Sequence, residues 1–443
     1  MRRVAMRTRG LHPIAAHTAV ILSFSMHWLT AAFLVALGCG TVLRLWLASR
    51  QIRAARTHRE RVPAPFAAQV SLADHRKAAD YTIARVRLGR IEGVVDALVV
   101  LVLTLGGGIE ALDELWGRLE WSEPWRGLAL IVSIVALTML VGLPFSIWRT
   151  FRIESAFGFN RTTPRLYLLD RLKGLALAVA IGCPLALAAL ELMEHAGRLW
   201  WLYSWLGWLL ISFTLAWAWP AFIAPLFNRF TPLGDAALKM RIEALLERCG
   251  FASKGVFVVD SSRRTAHGNA YFTGVGRSKR IVFFDTLLEG LGGAEIEAVL
   301  AHELGHFRLK HIRNGLIVSA AASLAGLALL GWLVQQPWFY SALGVSTPSA
   351  ECALLLFLVV APVFLFFLTP IAAYRSRRHE FAADRFAAAH ASAADLAAAL
   401  VKLYRENATT LTPDRITSAF YDSHPPALAR IAYLRKLAEH ARV

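Results

Sequence analysis

The segment His302-Glu303-Leu304-Gly305-His306 lies at the end of a long polar insert between two apolar stretches of membrane-spanning length. It matches the pattern HExxH. Residues four apart share one face of a helix, so His302 and His306 can direct both imidazoles at a single ion. Neutral imidazole suits Zn²⁺, and Glu303 is placed beside a metal-bound water as a general base. Because so short a pattern also arises by chance on amphipathic helices, the zinc prediction depends on the rest of the chain.

The composition of the chain is typical of a membrane protein. Of its 443 residues 56% are hydrophobic and 18% are charged, and the mean hydropathy is +0.47. Soluble domains are about 45–50% apolar and about 25% charged. Seven stretches reach the roughly 20 apolar residues that a spanning helix needs: 27–48, 93–112, 127–148, 172–193, 199–227, 315–337 and 351–374. We therefore expect a mainly α, polytopic membrane protein with about seven transmembrane helices and a small α/β domain split by the last two helices.

The distribution of Lys and Arg predicts which loops are cytoplasmic, because short basic loops stay on that side. Residues 49–92 carry ten Lys or Arg against four acids, whereas 113–125 is mainly acidic and 338–350 is uncharged. This alternation places the HExxH insert and the tail after residue 374 on the cytoplasmic side of an inner (plasma) membrane. The net charge of +17 then reflects orientation and contact with the lipid bilayer, and we expect no nucleic-acid partner. The four cysteines show no CxxC spacing, which argues against a disulfide frame or a thiolate metal site.

These patterns divide the chain into five segments. Residues 27–227 form five transmembrane helices with basic cytoplasmic loops, 228–314 a cytoplasmic α/β catalytic insert, 315–374 two more transmembrane helices, and 375–443 C-terminal catalytic helices. The first segment, 1–26, contains four arginines, although seven spans and a cytoplasmic tail would place the N-terminus outside. We interpret this segment as an N-terminal extension that results from an incorrectly assigned start codon, with Met26 as the native first residue.

The insert 228–314 reads as a small mixed α/β unit, and the tail as helices. Hydrophobic periodicity predicts a helix over Asp235–Cys249, short strands over Val256–Asp260 and Ile281–Phe284, an extended segment over His267–Gly274, and the HExxH helix from Glu295 onward. In the tail, Arg375–His390 is predicted to be helical, a second helix follows with Ser392 as its N-cap, and a third starts at Pro426.

A catalytic zinc needs a third protein ligand and one open position. His311 is a poor candidate, because on the same helix run it lies five residues past His306 and off the shared face. Glu380 is a better one, with Asp384 one turn later on the same face. The alternative is a solvated acidic pair that balances neighbouring arginines. Periodicity alone favours that alternative.

Several further motifs occur in a recognisable order. They are Arg149-Thr150-Phe151-Arg152-Ile153-Glu154 with Gly158-Phe159-Asn160, the run Pro225 to Leu233, Asn269-Ala270-Tyr271-Phe272, Arg280-Ile281-Val282 with Phe284-Asp285-Thr286-Leu287, Ser376-Arg377 with Glu380 and Asp384, and Ser423-His424-Pro425-Pro426. Together with HExxH they resemble the integral-membrane zinc proteases of the type I CAAX prenyl protease family over residues 27–440. Two mild departures are Gly268, where the family often has Ser, and Phe307, where it often has Trp.

The resemblance implies a role for each matching residue. It implies one Zn²⁺ per chain on His302, His306 and Glu380, with Glu303 as general base. It also implies that Asp384 supports a zinc ligand and pairs with Arg430, that His424 stabilises the tetrahedral oxyanion, and that the strand around Asn269 and Ala270 binds extended substrate. Without the resemblance, His424 would be an ordinary loop histidine and that strand an ordinary sheet edge.

The resulting hypothesis is a zinc metalloendopeptidase that hydrolyses peptide bonds with metal-activated water. Its expected partners are peptide or membrane-protein substrates, with a role in processing or quality control, and its oligomeric state stays open. The alternatives are a non-cleaving membrane adaptor or gatekeeper, which would not need Glu303, and a transporter, for which no inverted repeat is evident. The Arg-rich, Ala-rich composition resembles that of high-GC bacteria and predicts a bacterial source.

Overall fold

The computed structural model describes residues 26–251, 253, 255–273 and 280–440, so residues 1–25 of the predicted extension 1–26 lie outside the described residues. Within this part the chain is mainly helical. The helices are α1 Trp28–His58, α2 Leu72–Leu103, α3 Gly108–Gly117, α4 Glu123–Trp148, α5 Pro164–His195, α6 Trp200–Ala218, α7 Ala224–Phe227, α8 Ala236–Arg248, α9 Asp285–Gly290, α10 Gly293–Arg308, α11 His311–Leu333, α12 Pro337–Ser341, α13 Ala350–Leu365, α14 Thr369–His390, α15 Ala393–Glu406, α16 Arg415–Tyr421 and α17 Ala427–His440.

The number of membrane spans agrees with the prediction. Six helical segments among the described residues are long and apolar enough to cross a bilayer, and a seventh arises if α2 and α3, which meet at a bend of 50°, count as one broken span. This bent pair contains the predicted stretch 93–112. The mainly α, polytopic membrane architecture is thereby confirmed.

The bend between α2 and α3 depends on glycine. Gly107 adopts φ 72°, a left-handed conformation that residues with a Cβ rarely adopt. A Cβ on the preceding Gly106 would lie only 2.8 Å from the carbonyl oxygen of Val102. The chain therefore reverses tightly against the end of α2, where larger residues would not fit.

Two of the regions expected to be basic loops are largely helical. α1 continues to His58, and α2 begins at Leu72 with the Ser71 side chain accepting a hydrogen bond from the Asp74 amide. Likewise α4 runs directly into a π-helical segment, Arg149–Glu154. Hydropathy predicts which part of a helix lies in the membrane and not where the helix ends. These helices therefore continue into charged segments outside the predicted spans.

The insert contains a four-stranded sheet in the order β1-β2-β4-β3. The strands are β1 Phe230–Pro232, β2 Val256–Val259, β3 Ala270–Thr273 and β4 Arg280–Phe284. β2 pairs in parallel with β4, and both outer pairings are antiparallel. Within the described residues β3 pairs with β4 alone, so its other side is an open edge.

Helices cover one side of this sheet and bury the core of the soluble part. Ile242 and Leu245 of α8, Leu300 and Leu304 of α10 and Leu396 of α15 all lie in one buried apolar cluster. The spacing of Leu300 and Leu304 places both on one face of α10. The face of α10 that carries the two histidines is oriented by this packing.

The last span and the tail are continuous. A 3₁₀ turn over Phe366–Leu368 joins α13 to α14, and α14 runs without a break through the predicted boundary at residues 374 and 375. Its polar second half, which contains Glu380, is thereby attached rigidly to a transmembrane segment. As predicted, Ser392 caps α15, with its side chain accepting from the Asp395 amide.

Candidate metal centre

The HExxH helix, α10, is fixed at its start and along one face. The Gly292 amide donates to Glu295 Oε2 at 2.7 Å, and Lys402 Nζ lies 2.7 Å from the same oxygen. Leu300 and Leu304 are buried in the core. His302 and His306 lie on the neighbouring face, where His302 is buried and His306 is partly buried.

Helix α14 packs closely against α10 and brings the predicted third ligand to the two histidines. The contact occurs at Gly305, where a Cβ would lie 3.1 Å from the Cα of Ala383 and 3.2 Å from the Cβ of Phe386. The absent side chain lets the two helices approach, as small residues do at helix crossings. Gly305 within HExxH therefore has a packing role in addition to its place in the motif.

Three ligand atoms converge at this crossing. His302 Nε2 lies 3.3 Å from His306 Nε2 and 3.5 Å from Glu380 Oε2, and His306 Nε2 lies 3.4 Å from Glu380 Oε1. Among the described residues these are the three that form a possible metal-binding group. The structure thus brings together two residues that are four positions apart and one that is more than 70 positions away.

Glu380 Oε2 is a buried oxygen that makes no hydrogen bond within the described part of the chain. Buried polar atoms in native proteins nearly always have a partner, and an exception indicates a missing ligand, ion or water. This oxygen lies 3.5 Å from His302 Nε2, the imidazole nitrogen that also faces His306 Nε2. Two imidazoles and a carboxylate form a donor set suited to a metal ion.

Asp384 and Arg430 support this group from behind. His302 Nδ1 lies 2.8 Å from Asp384 Oδ1, and Arg430 donates to Asp384 from Nε at 2.8 Å and from Nη2 at 2.7 Å. Arg430 Nη1 also lies 3.4 Å from Glu380 Oε2. Asp384 is completely buried and Arg430 is 5% exposed, so the network is shielded from water.

The network shifts the protonation equilibria of its members. Burial opposes the charged form of His302, but the neighbouring carboxylates of Asp384 and Glu380 outweigh it and raise the pKa of that imidazole above its usual value. Burial also opposes the charge of Arg430, and the hydrogen bonds to Asp384 raise the pKa of the guanidinium beyond its usual range.

The two residues predicted to act in catalysis, Glu303 and His424, are more exposed than Glu380. Glu303 is partly exposed on α10, next to His302 in the chain. His424 precedes α17, and its Nε2 lies 3.6 Å from Glu380 Oε1 while 64% of its side chain is exposed. His424 therefore reaches the ligand group from the solvent side.

Ala270 is the first residue of the edge strand β3, and Asn269 directly precedes it. Asn269 is exposed, and its Oδ1 accepts a hydrogen bond from the Ala270 amide at 2.8 Å. The strand contacts the end of α10, because the rings of Phe272 and Phe307 are 5.0 Å apart. The edge and the HExxH helix are therefore neighbours.

His311 corrects one sequence-based expectation. α10 ends at Arg308, and α11 begins at His311 after Lys310 in a left-handed conformation. His311 is therefore on a different helix from His306, with the two Nδ1 atoms 3.1 Å apart. Helical periodicity contains no sign of this break, and for that reason the sequence does not predict the contact.

Charged residues inside the spans line a cavity. Arg44 and Asp96 both border a space of 420 Å³ between α1, α2 and α16. Arg44 also lies over the ring of Phe366, with its guanidinium carbon 4.3 Å from the ring centre. Charges in membrane spans usually face such interior spaces.

Comparison with known proteins identifies the family. Residues 51–229 match the profile described as CAAX prenyl protease N-terminal, five membrane helices, and residues 232–438 match that of peptidase family M48. The chain belongs to the CAAX prenyl protease family of M48 peptidases. It is an integral-membrane metalloprotease, and its substrates are peptides.

Named relatives agree with this assignment. The chain is 36% identical to CAAX prenyl protease 1 homolog of Arabidopsis thaliana over 317 residues, or 70% of this chain and 73% of that protein. It is 32% identical to the Homo sapiens homolog, covering 76% of this chain and 81% of that protein. The crystal structure of S. mikatae Ste24p is similar with a TM-score of 0.85 at 28% identity, covering 91% of this chain and 98% of that one. These family members are eukaryotic and do not support the predicted bacterial source, and the adaptor alternative is not favoured.

Proposed function

We propose that this chain is a zinc-dependent endopeptidase whose ion is held by His302, His306 and Glu380. The observation that carries the proposal is the convergence of these three ligand atoms at the crossing of α10 and α14. The chain belongs to a metalloprotease family, and α10 also carries the carboxylate of Glu303 between the two histidines.

Zinc fits the spacing of the ligand atoms. A tetrahedral Zn²⁺ with bonds of about 2.0–2.1 Å separates its ligand atoms by about 3.3 Å. Here the two Nε2 atoms are 3.3 Å apart, and those of His302 and His306 lie 3.5 and 3.4 Å from different oxygens of Glu380. Three protein ligands leave a fourth position open, which is the arrangement of catalytic zinc sites. When bound, the ion polarises the scissile carbonyl and lowers the pKa of water.

The side chains around the ligands supply proton transfer and charge stabilisation. Glu303 accepts the proton of the attacking water and returns it to the leaving amine. His424, on the solvent side of Glu380, donates a hydrogen bond to the oxygen on which negative charge develops. Such a donor contributes about 2.7–4 kcal/mol in mutational series.

We propose that substrate binds as an extra strand at β3. The edge of this strand is open among the described residues, and Asn269 is exposed at its start. Strand addition uses main-chain hydrogen bonds and depends little on substrate sequence. The contact between Phe272 and Phe307 supports this, because it places the edge beside the end of the HExxH helix.

We further propose that the centre lies on the cytoplasmic side of an inner (plasma) membrane. The main support is the ten Lys and Arg residues of 49–92, which lie on the end of α1, on the first part of α2 and in the turn between them, since short basic segments stay cytoplasmic. Substrates would be membrane-associated polypeptides, including membrane proteins under quality control, because α14 carries Glu380 directly from a membrane span. Quantitative proteomics of a deletion strain that showed no accumulated membrane protein would contradict the quality-control role.

The decisive experiment changes Glu303 to Gln in the purified, zinc-loaded protein. Loss of a general base lowers rates by about 10²–10⁴-fold, so peptide cleavage should fall by that factor while bound zinc stays at one ion per chain. The matched control is Glu289→Gln, which changes an exposed carboxylate on α9 and should leave cleavage unchanged. Cleavage by the Glu303 variant at the parent rate, or a parent protein that cleaves peptides undisturbed by a chelator, would refute the proposed mechanism.

A further inference from the structure

The two histidine ligands differ in the residue that faces their Nδ1 atoms, the ring nitrogens that point away from the metal-binding group. His302 directs its outer nitrogen, Nδ1, at Asp384 Oδ1, 2.8 Å away. His306 directs its outer nitrogen at another imidazole, with Nδ1 of His306 and Nδ1 of His311 separated by 3.1 Å. Metal-binding histidines almost always donate this outer N–H to an acceptor, which fixes the ring orientation and tautomer. His311 occupies the acceptor position for His306.

The hydrogen bond defines both tautomers. His306 Nε2 faces His302 Nε2 and Glu380 Oε1 at 3.3 and 3.4 Å, so this nitrogen keeps its lone pair for the ion and the proton lies on Nδ1. A neutral imidazole has one donor and one acceptor nitrogen. His311 must therefore accept at Nδ1 and carry its own proton on Nε2.

The chain adopts an unusual backbone conformation to make this contact. In one continuous helix, a residue five positions after His306 would lie about 140° around the axis. Instead Lys310 adopts φ 61° and ψ 24°, and the helix restarts at His311. Residues with a Cβ rarely adopt the left-handed region, because the Cβ comes too close to the following carbonyl oxygen. Such strain persists where surrounding structure imposes it, often at functional sites.

A third histidine fixes the plane of the His311 ring. His379, the residue before Glu380 on α14, stacks on His311 with ring centres 4.0 Å apart and planes inclined by 6°. His306 meets His311 edge-on, at 5.2 Å and 68°. His311 therefore lies between the two helices that supply the ligands, and it is also the first residue of a membrane-spanning helix, α11.

We propose that His311 is a positioning residue that orients His306 for metal binding through the Nδ1–Nδ1 hydrogen bond. The inference rests on the proposed zinc function, because it assigns a role toward that ion. It predicts that the acceptor nitrogen of His311 matters, and that the ring alone does not suffice.

The test compares variants that separate the nitrogen from the ring. His311→Phe keeps an aromatic ring to stack on His379 and removes the acceptor. His311→Asn places an amide oxygen near the position of Nδ1 and restores it. His379→Phe is the matched control, because it keeps the stack and changes a ring that the structure does not join to His306 by a hydrogen bond. His311→Ala is a second variant without an acceptor, for use if the Phe variant does not fold.

The measurements are the rate of zinc transfer to a chromogenic chelator from full-length protein in detergent, with kcat and KM for a peptide alongside. Loss of such a supporting partner typically costs 10–100-fold in metal affinity or activity. We expect zinc loss to accelerate by that factor in His311→Phe and His311→Ala, and to stay within about threefold of the parent in His311→Asn and His379→Phe.

Three results would overturn the inference. Zinc release at the parent rate from both acceptor-less variants would show that the hydrogen bond is unimportant. Equal acceleration in His311→Asn, or in His379→Phe, would assign the effect to packing. In both cases the parent still binds zinc and cleaves peptide, so the proposed function stands. A parent protein that binds no zinc would remove the proposed function and this inference together.

Discussion

Replacing Arg430 by Met should destabilise the protein through the carboxylate that the substitution leaves behind. Arg430 makes two hydrogen bonds to Asp384, of 2.8 and 2.7 Å, and Asp384 has no exposed surface. Removing one member of a buried ion pair costs about 3–5 kcal/mol, because the remaining carboxylate is not hydrated and keeps only His302 Nδ1, 2.8 Å away, as a partner. With about 2 °C of midpoint change per kcal/mol in a large chain, the thermal midpoint should fall by roughly 6–10 °C.

The assay is thermal unfolding of the metal-free protein in detergent, followed by tryptophan fluorescence. Arg385→Met is the matched control: Arg385 lies on α14, is exposed, and donates to Tyr433 Oη at 3.2 Å. An exposed substitution of this kind changes stability by about 0.5 kcal/mol or less. A midpoint for Arg430→Met equal to that of Arg385→Met would refute the argument.

A double variant distinguishes the effect of losing the ion pair from the effect of leaving an unpaired Asp384 carboxylate. Arg430→Met with Asp384→Leu removes both ions, and replacing a buried pair by apolar residues is often neutral or stabilising. The double variant should therefore regain most of the lost midpoint. It should still bind zinc more weakly than the parent, because His302 Nδ1 has lost its acceptor. A double variant as unstable as Arg430→Met alone would show that lost packing, and not the unpaired carboxylate, explains the effect.

Three further outcomes are expected. Gly305→Ala should weaken zinc binding in a chelator competition, because the added Cβ would press on Ala383 of α14. The control is Gly315→Ala, whose added Cβ would have no neighbouring atom within 4 Å and should leave zinc binding unchanged. Equal zinc affinities of the two variants would contradict the role of Gly305 in the approach of α14 to α10. Burial opposes the charged form of Asp285, but hydrogen bonds from nearby Ser side chains and backbone amides outweigh it and hold the pKa of this carboxyl below its usual value. The carboxylate therefore stabilises the fold above about pH 4, and this contribution is lost as the pH falls through the folded-state pKa. Asp285→Asn should accordingly lower the thermal midpoint at pH 7 by more than at pH 3.5, and a pH-independent difference would refute this. Asn269→Ala should raise KM up to about tenfold at constant kcat, since one hydrogen bond contributes about 0.5–1.5 kcal/mol. The increase in KM should be the same for peptides of unrelated sequence. A lower kcat would instead assign Asn269 a role in the chemical step.

Sequence patterns predicted the membrane architecture well because hydropathy and charge act over long windows. The spans need only length and apolar composition, and the stretches 27–48 and 127–148 correspond to α1 and α4. Helix ends were predicted less well. α1 and α2 continue through much of 49–92, since a helix that leaves the bilayer can change composition without changing conformation.

The candidate centre shows where sequence reasoning stops. His302 and His306 share a face at helical spacing, so the pair could be predicted from the chain alone. Periodicity could not choose between Glu380 as a ligand and Glu380 as a surface acid, and the resemblance to a family made that choice. In the structure, its Oε2 is buried opposite His302, which a solvated acid would not be.

By itself the sequence determined the membrane class, the spans and the pair of histidines, because each depends on composition or on spacing within one element. Only the tertiary structure decided which residues meet from different helices. Gly305 lets α14 approach, Asp384 and Arg430 form a dry pair behind His302, and the turn at Lys310 returns His311 to His306. These contacts depend on how helices cross and where one of them breaks, and neither property is encoded in the period of a single helix.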